Sequence, residues 1–103
     1  MSRLPAYCGS VRNIDLALYA DTLAGEAAAL AARIERERGR LRQSSIERAA
    51  RAELDREAVD RLEELGLLST RGDVETLATL EEALDAIEVL QAWVEERLSR
   101  VAA

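Results

Sequence analysis

The sequence predicts an all-α protein, a small helical bundle in which two long helices flank a bent pair of short helices. Three observations lead there. Ala and Leu dominate an apolar fraction of 49%, Phe is absent, and Trp93, Tyr7 and Tyr19 are the only aromatics. Pro5 is the single proline and only five glycines punctuate the chain; Ala, Leu, Glu and Arg lose little on entering a helix. Apolar residues recur at threes and fours over long stretches, the spacing of a helix face. At 103 residues the chain is expected to form one domain, residues 13–103, behind an irregular arm at residues 1–12. A chain of this size buries about two thirds of its unfolded surface, so pairing with a second copy adds usefully to its stability.

The arm contains Pro5 and Gly9 and has no periodicity, with Tyr7 and Val11 as candidates to pin it to the body. Asn13 is the expected N-cap of the first helix, and Asp15 complements the dipole in its first turn. From Ile14 to Arg42, the residues Leu16, Tyr19, Leu23, Ala27, Leu30, Ile34 and Leu41 fall in a stripe less than about 90° wide at about 100° per residue. After Ile34 the stripe fades. Glu37 and Arg38 stand where core residues belong and Gly39 weakens the helix, so this end is expected to project into solvent or meet a partner.

Ser44-Ser45-Ile46-Glu47 has the pattern of a capping box, which predicts the start of a second helix, with a continuous rod through Gly39 and the serines as the alternative. Ile46, Ala50, Leu54, Ala58 and Leu62 would drift round a single straight helix. A break at Leu54-Asp55, with Asp55 capping a short helix from Arg56 to Leu65, removes that drift. Gly66 is then the left-handed residue that ends the short helix, with Leu67 and Leu68 folding back on its last turn. Ser69–Gly72 forms a turn, and Asp73 caps the last helix. There Leu77, Leu80, Leu84, Ile87, Gln91, Val94, Leu98 and Val101 alternate threes and fours as a heptad seam, with Gln91 as its one polar member. Ala83, Ala86, Leu90 and Trp93 form a second row beside it, so the last helix can touch two neighbours at once.

Charge narrows the functional classes. The net charge of −6 opposes a general binder of nucleic acid or anionic membrane. All fourteen basic residues are Arg, which we read as a genomic bias. Five of them, Arg33, Arg36, Arg38, Arg40 and Arg42, crowd one helix end against Glu35 and Glu37, whereas the segment from Asp73 onward is strongly acidic. Such asymmetry suits self-association or a charged protein partner. Arg36, Arg38, Arg40 and Arg42 are therefore candidate contacts for an anion or a partner. Without His there is no imidazole base, and Cys8 stands alone in the arm. The pairs Glu63-Glu64, Glu81-Glu82 and Glu95-Glu96 diverge by about 100° on a helix and do not converge on an ion. No enzyme activity, catalytic residue, cofactor or metal site is expected. No apolar run is long enough to span a bilayer and one cysteine forms no internal disulfide, so a cytoplasmic location is expected.

Residues 45–52, 54–68 and Asp73-Val74-Glu75-Thr76-Leu77 together resemble the helix-turn-helix, "LGLL" exit and following helix of MerR-type regulators. The resemblance implies a DNA-binding unit over residues 45–68, with Arg56 and Arg61 as candidate DNA contacts, feeding a dimerisation helix. Glu53-Leu54 replaces the family's Gly in the inter-helix turn, the wing shrinks to Ser69–Gly72, and a long helix precedes the unit. Asp55, Glu57, Asp60, Glu63 and Glu64 outnumber the two Arg of the would-be reading helix, which repels phosphates. The leading expectation is instead a small regulator or adaptor that works through protein–protein contact. It is expected to be a homodimer joined through Leu84, Ile87, Leu90, Gln91, Trp93, Val94 and Leu98 of the last helix and to serve a protein partner not identified by the sequence.

Overall fold

The computed structural model describes residues 12–102, with side chains described through Arg100. The arm expected at residues 1–12, including Tyr7, Cys8 and Val11, lies outside the described residues except for Arg12, as does the side chain of Val101. The chain is all-α: three helices, α1 (Asn13–Glu53), α2 (Arg56–Glu64) and α3 (Val74–Ala102), account for its regular structure, with no strand among the described residues.

The break expected before the second helix is absent. α1 runs unbroken through Gly39, Ser44 and Ser45 for 41 residues, so a single short helix, and no bent pair, follows it. The capping box fails because Glu47 has other partners. Its carboxylate is buried and accepts from the Thr70 backbone N–H at 3.0 Å and from Gln43 Nε2 at 3.1 Å. Tertiary contacts of this kind override a local preference worth about 1 kcal/mol at a glycine.

The remaining boundaries follow local chemistry. Leu54 N–H closes the last turn of α1 on Ala50 O, and Asp55 then adopts an extended backbone and accepts from Ala58 N–H at 2.8 Å. At the far end of α2, Gly66 has φ 73°, Gly66 N–H donates to Glu63 O and Leu67 N–H to Leu62 O. That pair of bonds is a Schellman cap, which a left-handed glycine permits at least strain. Leu68 is buried as expected, but Leu67 remains 59% exposed. Asp73 starts α3 by accepting from Glu75 N–H and from the Thr76 hydroxyl.

Contacts divide the described residues into two compact units, one of residues 12–30 with 83–102, the other of residues 31–82. In the first, Leu16 and Leu23 of α1 pack with Val94 of α3, and Ala20, Ile87 and Leu98 close round them. Val94 is fully buried. In the second unit Ile34, Leu68 and Leu80 are buried together with two carboxylates, Glu37 and Glu47.

The second unit corrects the expectation that α1 overhangs beyond Ile34. Residues 68–73 lie along it. Glu37 Oε2 accepts from Asp73 N–H at 2.7 Å, Gly72 abuts the backbone of Leu41, Glu47 takes Thr70 N–H, and Arg51 donates to Leu68 O. A loop must satisfy its backbone donors as its surroundings dry out, and here carboxylates on a helix face do so. Glu37 occupies a core position because it receives one of those donors. Arg40 Nη1 at 2.8 Å completes its shell.

Candidate interaction surface

The heptad seam of α3 is spent within the chain. Leu80 and Val94 are buried, while Leu77, Leu84, Ile87, Gln91 and Leu98 are half-buried. Of the seven residues expected at a dimer interface, Ile87, Val94 and Leu98 belong to the internal cluster of the first unit. Leu84 and Gln91 sit half-buried, and only Leu90 and Trp93 are exposed.

Those two have neighbours that the seam pattern passed over. Val89 is 70% exposed, Leu90 40% and Trp93 43%, and with exposed Ala86 they recur at the three-and-four spacing of one helix face. The guanidinium of Arg97 lies 5.3 Å from the centre of the Trp93 ring, on the next turn of the same face. An exposed cation–π contact of this kind contributes about 0.5–1 kcal/mol and limits the motion of the indole. Val89 could have been found in the sequence, since it precedes Leu90 and lies three residues after Ala86. The heptad reading assigned it to neither row.

Charge is distributed along α3 with a direction. Glu75, Glu81, Glu82, Asp85 and Glu88 are unopposed within its first half, whereas Arg97 and Arg100 balance Glu95 and Glu96 in the last turns. Arg100 contacts Glu96 at 3.3 Å on the surface.

The Arg-rich end of α1 is less free than its sequence suggests. Arg38 is shared between Glu35 at 3.0 Å and Glu81 at 2.9 Å, and its affinity for its proton is raised, chiefly by the hydrogen bond to Glu81 and then by that to Glu35. Arg40 is paired with Glu37. Arg36 and Arg42 are exposed and have no carboxylate within ion-pair distance among the described residues. Two of the four candidates are thus paired with carboxylates and two are not.

Arg56 and Arg61 are exposed on α2, a nine-residue helix none of whose residues is buried. Glu57, Asp60, Glu63 and Glu64 share that helix, and Glu63 is held by Arg51 at 3.0 Å. Between α2 and α3 the described backbone forms no hairpin. No set of His, Cys, Asp or Glu side chains capable of holding a metal occurs among the described residues, and no helix is long and apolar enough to cross a membrane. Comparison with protein-family models, with curated proteins and with solved structures found no match to this chain.

Proposed function

We propose that the chain is a protein–protein interaction module that works as a homodimer, two copies meeting through Ala86, Val89, Leu90 and Trp93 of α3. The observation that carries this reading is the exposure of Val89, Leu90 and Trp93 on one face of a helix whose neighbouring face already buries Val94. Aromatic and aliphatic side chains in one row are the usual anchors of an interface. The second copy is favoured as occupant by the charge gradient of α3. Antiparallel pairing lays the charge-balanced last half of one helix beside the acidic first half of the other, while parallel pairing sets the two acidic halves together. Leu84 and Gln91 lie on the far side of the helix from this row, and Ile87, Val94 and Leu98 support it from within. The role that fits is that of a regulator or adaptor in the cytoplasm, with the dimer as its working form.

Size exclusion with light scattering, at low and moderate salt and with or without random duplex DNA, tests the proposal. The expected mass is twice the 11.3 kDa of one chain, indifferent to DNA, with Val89→Glu returning the protein to a monomer. A monomer at all concentrations would overturn it. So would a salt-sensitive DNA complex abolished by Arg56→Glu and Arg61→Glu, which would establish the helix-turn-helix alternative over residues 45–68.

A further inference from the structure

We infer that the cavity between the Ser44–Arg51 face of α1 and residues Thr70–Gly72 is a binding site for a phosphate group, carried by inorganic phosphate or a small phosphate ester. Ser44, Arg48 and Arg51 recur at four and three residues, so they share one side of the helix. With Thr70, Arg71 and Gly72 they line a solvent-open cavity of about 300 Å³. Three arginines from two chain segments thus line one space, together with Ser44 and Thr70.

The cavity walls are fixed by contacts that do not use the cavity. Gly72 is pressed against the backbone of Leu41, and Thr70 N–H is bound to Glu47 Oε1. Arg51 is oriented from behind by Glu63, at 3.0 Å from its Nε, and by Leu68 O. Arg48 and Arg71 have no carboxylate within ion-pair distance among the described residues. Glu47 lies close in sequence, but its oxygens are engaged by Thr70 N–H and Gln43. Like charges gathered at one cavity repel, and an anion between them converts that repulsion into attraction. Guanidinium forks match the tetrahedral oxygens of phosphate, to which they bond in pairs.

Size and lining define the ligand further. The volume is at the lower end of small-molecule sites, and no aromatic side chain lines it to stack a nucleobase. The phosphate group is therefore the recognised element. This inference is independent of the dimer proposal, since none of its residues lies on the Ala86–Trp93 face.

Titration calorimetry with inorganic phosphate, at ionic strength held constant with sodium chloride, tests it on the full chain. Saturable binding is expected, weakened about tenfold or more by Arg48→Gln and by Arg71→Gln and less by Arg71→Lys, which keeps the charge but loses the fork. Arg36→Gln and Arg42→Gln should bind as the wild type does. Glycerol phosphate should bind like inorganic phosphate, which marks an ester as accepted, and adenosine monophosphate no more tightly. Circular dichroism checks each variant's helices; Arg48 and Arg71 are both exposed, and either variant alone carries the test. Absence of saturable binding, equal weakening by the Arg36 and Arg42 variants, or duplex DNA binding that needs Arg48 and Arg71 without any phosphate binding would each overturn the inference.

Discussion

A Cβ added at Gly72 would lie 2.8 Å from the backbone N and Cα of Leu41, a separation that real side chains do not tolerate. Backbone atoms of a helix cannot move aside as a flexible side chain can, so Gly72→Ala should cost about 1–3 kcal/mol, read from urea unfolding followed by circular dichroism. Glu47 supplies a second test at the same scale. Hydrogen bonds from Thr70, its side chain foremost and then its backbone N–H, with Gln43 and the charge of Arg51, hold this carboxyl below its ordinary value of 4.5 against the opposing effect of burial. Asp73 is held below 3.8 chiefly by Thr76 and by Glu75 N–H. For both groups the unfolded chain binds the proton more readily. Their stabilisation is therefore complete above these ordinary values and disappears as pH falls through the lower, folded ones. Glu47→Gln should flatten the dependence of the urea midpoint on pH below about pH 4.5 and leave a wild-type slope above it; an unchanged acid limb would contradict the account. Neither residue's role was legible beforehand. Glu37 and Glu47 read as interruptions of an apolar pattern or as a cap, because their partners are backbone N–H groups 36 and 23 residues away. Nothing in local sequence marks which amide a carboxylate will meet.

Helix ends were the most legible features of the chain, because their chemistry is completed within a few residues. Asp55 caps α2 through Ala58 N–H, Gly66 ends it with φ 73°, and Asp73 opens α3, all as their residue types demand. Asp55→Ala should therefore cost about 1 kcal/mol, and Gly66→Ala about 1–2 kcal/mol for a left-handed residue carrying a Cβ; thermal unfolding of the two variants checks both. The continuity of α1 was not legible. A serine pair followed by Glu satisfies every local rule for a new helix, and the contacts that hold residues 39–47 helical come from residues 68–73. The α3 seam was read correctly as an apolar face, since Leu80 and Val94 are buried. Periodicity reveals that a face is covered and does not say which surface covers it. Val94, expected at a contact between copies, instead closes the cluster with Leu16 and Leu23. Leu23→Ala should open that cluster and cost about 2–5 kcal/mol in urea unfolding.

At the scale of the whole molecule, the buried apolar residues are few for the length described: Leu16, Leu23, Ile34, Leu68, Leu80 and Val94. Val89, Leu90 and Trp93 stay exposed where one face of α3 packs within the chain and the neighbouring face does not. Placing a second copy there joins the sparse core, the exposed row and the charge gradient of α3 in one account. Trp93 is the only tryptophan of the chain, so its fluorescence reports on that face alone. The decisive measurement is the emission of Trp93, and its quenching by iodide, across a dilution series whose mass is followed by light scattering. Emission at the dimer mass should be blue-shifted and protected, moving to the red and becoming quenchable in step with dissociation to 11.3 kDa. A dimer that dissociates without any change in Trp93, or a monomer with accessible Trp93 at every concentration, would contradict it.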